Sequence, residues 1–200
     1  MNYVLDWLAT KNERREKLPG DDLVSEARGS STHAIAIDAT SDDVWPWLVQ
    51  MGCDRAGFYS YDLLDNAGRR SATRIVPEFQ NISVGDILPS RPGSPNGFEV
   101  LRLEKPTMLL LGAYLRVPGF SNLAWHEPRP AAHIRSTWLF LLREQQNQTR
   151  LLVRARGIIH PWWLRIMINS LMVPTHIVMQ RKQLLNLRGR AERLTRSKSV

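Results

Sequence analysis

The apolar positions of the chain change period along its length, and each change marks an element. Residues 32–38 alternate, with His33, Ile35 and Ile37 on one face, which predicts a strand. Thr40-Ser41-Asp42-Asp43 then supplies N-cap chemistry and first-turn acids. Val44, Trp47, Leu48 and Met51 follow at i, i+3, i+4 and i+7, a core-facing helix to about Met51. Pro46 sits early in it, where a missing N–H costs least. From Arg74 to Gly157 strand follows strand, at 84–88, 98–103, 108–113, 134–143 and 149–157. The polar turns 104–107 and 144–148 make two hairpins, and Pro-rich loops cover 89–97 and 117–132. In the last strand Leu151, Val153 and Ala155 share one face, and Arg150, Leu152, Arg154 and Arg156 the other. That arginine face reads as solvated or, turned inward, as a charged floor for an anionic ligand. Pro161 opens a final helical region in which Leu164, Ile168, Leu171, Val178 and Leu185 form the sealing stripe. Pro174 predicts a kink or split before Leu187.

Helix, strand, helix, antiparallel strands and a long C-terminal helix make an α+β chain, without the alternation of a parallel sheet. A breaker cluster at Leu18-Pro19-Gly20-Asp21-Asp22 sets off an N-terminal helical appendage. The domain boundaries follow: 1–31 appendage and loop, 32–194 folded domain, 195–200 basic tail. With 200 residues and one cysteine, Cys53, the chain is large enough for a core and has no disulfide framework or Cys-rich zinc site. Of the formal net charge of +8, residues 154–200 carry ten Lys/Arg against Glu192 alone, so basicity belongs to the C-terminal quarter. The start carries no signal-peptide pattern, and the longest uncharged run near the C-terminus, 166–179, is too short to span a bilayer. A cytoplasmic protein is expected, with peripheral contact to an anionic membrane through Arg181, Lys182, Arg188, Arg190 and Arg193 as an option. Nucleic acid would use the same charges, but no motif for it accompanies them.

Several segments, in this order, carry a resemblance. They are Leu18-Pro19-Gly20-Asp21, Val44-Trp45-Pro46-Trp47-Leu48-Val49-Gln50-Met51-Gly52 and Gly57-Phe58-Tyr59-Ser60-Tyr61-Asp62. Arg74-Ile75-Val76-Pro77-Glu78-Phe79-Gln80, Val84-Gly85-Asp86, residues 149–156 and Met179-Gln180-Arg181-Lys182 complete the set. Together they resemble a bacterial group within the SRPBCC superfamily, which includes START lipid-transfer domains, the birch-pollen allergen and polyketide cyclases. The segment between Asp65-Asn66 and Arg74 is shorter here than is usual for the group. The resemblance implies a helix-grip fold, a curved antiparallel sheet around a long C-terminal helix, with a cavity between them.

The sequence holds no nucleophile elbow, phosphate-binding glycine loop or paired metal-binding histidines. No cofactor and no metal are expected; His33, His126, His133, His160 and His176 read as surface or structural, and Cys53 reads as a small residue at a helix end, with a pKa lowered by Arg55 as the alternative. Aromatics and methionines remain. Trp47, Met51, Tyr59, Tyr61, Phe79, Trp138, Met167 and Met172 would line the implied cavity around a hydrophobic or amphipathic ligand. Tyr59 and Tyr61 point the same way if their segment is extended. With Arg74 and Gln80 they would orient the ligand. Glu78 either pairs with Arg74 or acts as a base. The functional expectation is therefore binding or transport of a hydrophobic small molecule or lipid. A cyclase- or dehydratase-like enzyme using Glu78, and a peripheral membrane or interaction protein acting through the basic C-terminus, stand as alternatives.

Overall fold

The computed structural model describes residues 7–146 and 148–198. Helix α1 (Lys11–Arg15) starts at a capping box, in which Thr10 Oγ1 accepts from the Glu13 N–H and Glu13 Oε2 from the Thr10 N–H. Strand β1 (Ser30–Ile37) leads through the Thr40 cap into α2 (Ser41–Val49), and α3 (Asp62–Asp65) is a single turn. Then come β2 (Ile87–Pro89), β3 (Gly97–Glu104), β4 (Met108–Arg116), β5 (Ser121–Asn122), β6 (His133–Gln145) and β7 (Gln148–His160). They form one antiparallel sheet in the order β1-β7-β6-β4-β3-β2, with β5 on the end of β4. Residues 84–86, expected to be strand, form a turn instead: the Ser83 N–H is held by Asp86 Oδ2, and Gly85 takes φ +96°, open to glycine without strain.

Helix α4 (Trp162–Lys198) runs 37 residues through Pro174, without the split that was one of the two outcomes expected there. That proline is exposed, so water can solvate the carbonyl that loses its N–H partner. No described helix is long and apolar enough to cross a membrane. The residues that seal α4 onto the sheet are Gln180, Gln183, Leu184, Leu187 and Ala191, not the stripe expected from the apolar spacing. Of that stripe Leu164 is buried and Leu185 packs against the core, but Val178 is 55 % exposed, and the side chain of Leu171 lies outside the described residues. The spacing misled because two buried positions are glutamines. Gln183 donates to the Phe58 carbonyl at 2.9 Å, and Gln180 accepts from Trp138, so both are satisfied internally.

The curved sheet grips α4 and α2 on its inner face, the helix-grip fold. Ile35, Ile37, Leu109, Leu111, Phe140, Leu142, Leu151 and Val153 meet Trp47, Leu48, Leu184 and Leu187 in one cluster. The outer face carries Ala34, Met108, Leu110, Leu139 and Leu152, and Ala9 and Leu18 of the N-terminal segment cover it. A Cβ on Gly20 would stand 2.6 Å from Leu110 Cδ1, so glycine lets the segment lie this close. The arginine face of β7 is therefore turned away from the inner, helix-gripping face and is largely covered by the N-terminal segment. Arg154 is buried under the appendage, where it pairs with Asp21 at 2.8 Å and donates to the carbonyls of Glu13, Arg14 and Glu16.

Candidate functional site

The core between the sheet and the C-terminal half of α4 is filled with side chains expected to touch a ligand. Trp47, Met51 and Tyr59 are buried there. Tyr59 sits at φ +61°, a left-handed conformation that costs a non-glycine residue about 1 kcal/mol. It is held at four points: its N–H donates to Ser71 Oγ, its carbonyl accepts from Asn186, its hydroxyl accepts from Gln50, and Arg190 lies 4.8 Å over its ring. Burial pushes the Tyr59 hydroxyl pKa up. The left-handed residue breaks the extended run, so Tyr61 points elsewhere and is 42 % exposed; the two phenols do not share a site.

Gln50 explains the neighbouring segment. Fully buried, it donates from Nε2 to Tyr59 Oη (2.8 Å) and to the Arg74 carbonyl (3.3 Å). Its Oε1 accepts from the Val76 N–H and from Gln80 Nε2, both at 3.0 Å. Gln80 is thereby held inside a structural network, and Phe79 is stacked by Arg55 at 4.8 Å. Arg74 and Glu78 are both exposed, and no ion pair joins them among the described residues. Arg55 holds three carbonyls, those of Val49, Met51 and Phe79. Burial raises the Cys53 pKa, so the thiol is a small buried residue at a helix end and is not activated by Arg55.

Towards the other end of the sheet the inner face lies uncovered. Beyond the buried Phe140, Leu111 and Val153, the next inner residues are Trp138, Ala113, Ala155 and Ser31, all partly exposed. Strand register arranges the bare region in rows: Ser31, Ala155 and Trp138; then Gly157, Ser136 and Ala113; then Ile159, Ile134 and Leu115. The middle row is made of small residues, which deepens the floor, and Gly157 at its centre is exposed. The three atoms nearest to a Cβ placed on Gly157 all belong to β6, beginning with Ser136 Cβ at 3.2 Å, and none to α4.

The N-terminal half of α4 begins directly after β7, at this end of the sheet, and the space beside it is the candidate trough. Trp138 Nε1 donates to Gln180 Oε1 at 3.2 Å, which fixes the face that α4 turns to the sheet. Helical spacing carries that face back through Ile177, Val173, Ile166 and Trp162, all exposed. Trp163, Met167 and Val178 are exposed too, but helical spacing puts them on the side of α4 turned away from that face. Of the expected ligand contacts, Trp138 is on the floor, Met167 is on the outward side of α4, and the Met172 side chain lies outside the described residues.

Two histidines border the trough beside β1, and spacing could not have paired them, being 143 residues apart. Trp7 stacks on His33 at 4.9 Å, and Ser31 Oγ is 2.9 Å from His33 Nε2. His33 Nδ1 and His176 Nε2 are buried without a hydrogen-bond partner. Burial, helped by the nearby His176, holds the His33 pKa down to about 4, and burial lowers His176 as well. Both shifts favour the neutral rings, and the two unpartnered nitrogens are enclosed by protein atoms rather than open to the surface. With Nδ1 unpartnered, the Ser31–His33 contact lacks the orienting acid of a hydrolytic triad. No group of three metal-ligating side chains occurs among the described residues.

No family model matches the chain, and no curated protein does. Solved structures do. A hypothetical protein from Helicobacter pylori is 12 % identical over 92 % of this chain and 99 % of its own, with a TM-score of 0.50. A protein from Mesorhizobium loti is 16 % identical over 82 % and 98 %, with a TM-score of 0.41. A polyketide-cyclase-like protein from Corynebacterium glutamicum is 14 % identical over 83 % and 86 %, with a TM-score of 0.36. At these identities the likeness is one of fold.

Proposed function

We propose that this helix-grip chain binds a hydrophobic or amphipathic small molecule, a lipid included, in the open trough between the inner sheet face and the N-terminal half of α4. The observation that carries the reading is the uncovered row Gly157, Ser136 and Ala113, set between Trp138 and a wall of exposed Ile166, Val173 and Ile177. Apolar surface on two facing elements gains by excluding water, at ~25 cal/mol per Å² covered. A concave apolar surface with few polar groups suits a ligand of that kind. The trough is open, so the ligand enters without unfolding the grip.

A cyclase- or dehydratase-like activity has less support, because Glu78 and Arg74 are exposed and lie away from the trough. Contact with an anionic membrane is favoured by one observation: Trp163, Met167 and Val178 are exposed on α4, followed at once by exposed Arg181 and Lys182. Apolar and basic groups side by side suit an anionic lipid surface, which would also be a source of the ligand.

The neutral probe N-phenyl-1-naphthylamine tests the trough. Its fluorescence rises on entering an apolar site, and Ser136→Phe, which fills the floor opposite Gly157, should abolish that rise with the fold retained. Equal enhancement in both proteins would overturn the reading.

A further inference from the structure

The appendage that covers the outer sheet face leaves a depression of about 610 Å³ beneath it, on the side away from the trough. Six basic residues and three acids line it. The acids are all engaged: Glu16 with Arg143, Asp22 with Arg102, and Asp21 with Arg154 and Arg156. Arg14, Arg15, Lys17 and Arg28 are exposed and make no ion pair among the described residues. Deeper in, one carboxylate serves two guanidiniums. Asp21 stands 2.8 Å from Arg154 and 3.3 Å from Arg156, whose side chains are 4 % and 19 % exposed. Arg156 Nε is buried with no hydrogen-bond partner. A buried cation short of a counter-charge, with an unsatisfied N–H, is costly unless something supplies both.

We propose that this pocket is an anion site for a small phosphorylated molecule, held by Arg156, Arg28 and the basic residues of the 14–17 segment. A phosphate brings the missing negative charge and several acceptor oxygens, and guanidinium forks match its geometry. The volume suits a molecule larger than inorganic phosphate. The site is independent of the trough: it lies on the opposite sheet face and uses none of the same residues. It also gives the appendage a role, since the segment contributes four of the pocket's six basic residues.

The test is calorimetric titration of the full chain with pyrophosphate, at low and at physiological salt. The site predicts binding of one equivalent with Kd below about 1 mM at low salt, weaker at physiological salt. Lys17→Ala/Arg28→Ala, both exposed positions, should weaken it about tenfold or more with the melting temperature little changed. Arg181→Ala/Lys182→Ala, on α4, should leave it unchanged. No binding, several equivalents, or equal loss in both double variants would overturn the proposal and leave only diffuse surface charge. Vesicles of phosphatidylglycerol separate two sources of the phosphate. Vesicle binding that falls with Lys17→Ala/Arg28→Ala assigns the site to a lipid head group; vesicle binding unaffected by it, with pyrophosphate affinity lost, assigns a soluble phosphate.

Discussion

Replacing Arg154 with leucine should destabilise the protein more than any exposed charge change. The guanidinium donates five hydrogen bonds: to Thr32 Oγ1 at 3.0 Å, Asp21 Oδ2 and the Glu16 carbonyl at 2.8 Å, and the carbonyls of Glu13 (2.7 Å) and Arg14 (3.2 Å). Leucine leaves the buried Asp21 carboxylate with Arg156 at 3.3 Å and the Leu18 N–H at 3.0 Å. Removing one partner of a buried ion pair costs about 3–5 kcal/mol; the remaining Arg156 contact places the loss nearer the lower figure. At roughly 2–4 °C per kcal/mol for a chain of this size, the melting temperature falls by about 6–12 °C. Calorimetry on Arg154→Leu, Asp21→Asn and the double variant measures it, and the two changes should couple by more than about 1 kcal/mol. The half-exposed Arg102–Asp22 pair is the control: Arg102→Leu should cost about 1 kcal/mol or less. A loss below about 1 kcal/mol for Arg154→Leu, or simple additivity with Asp21→Asn, would refute the view that this arginine fastens the appendage to the sheet.

Other outcomes follow from the same structure. His33 has its pKa lowered from 6.5 to about 4, so the native state resists its protonation. Its share of stability is full above 6.5 and drains away as pH falls towards 4. His33→Phe, which keeps the stacking on Trp7, should flatten the melting-temperature profile in that window. Asp65 has the opposite sign: burial raises its pKa from 3.8 to about 6, with Asp62 adding to the shift. Stability therefore declines as pH rises through that range, and Asp65→Asn should raise the melting temperature at alkaline pH but not below pH 3.8. Trp163→Ser/Met167→Ser should weaken flotation with anionic vesicles and leave the melting temperature unchanged, since both side chains are exposed; unaltered flotation would remove the membrane reading.

Local pattern carried much of the fold. Thr40 and the Val44–Met51 stripe gave α2, and alternation in residues 149–157 gave the correct two faces of β7. What each face meets was not legible, because the segment that buries Arg154 lies more than a hundred residues away. The stripe of α4 was misread for a related reason: Gln180 and Gln183 look solvated until Trp138 and the Phe58 carbonyl are brought to them by the fold. At the site, bulk in the sequence reads as a ligand wall. Trp47, Met51 and Tyr59 are instead the filling of the core, and the uncovered floor is marked by the smallest residues, Gly157, Ser136 and Ala113. Their meaning depends on strand register across three strands and on where α4 stops covering the sheet. Neither is written in local sequence.

Native mass spectrometry of the protein purified from its own host, beside Ser136→Phe prepared identically, tests the trough most directly. The account predicts an added mass on the unmodified protein, extractable into organic solvent as a hydrophobic or amphipathic compound, and its loss in Ser136→Phe. Adduct-free protein that also fails to take up N-phenyl-1-naphthylamine, or an adduct carried equally by both proteins, would contradict it.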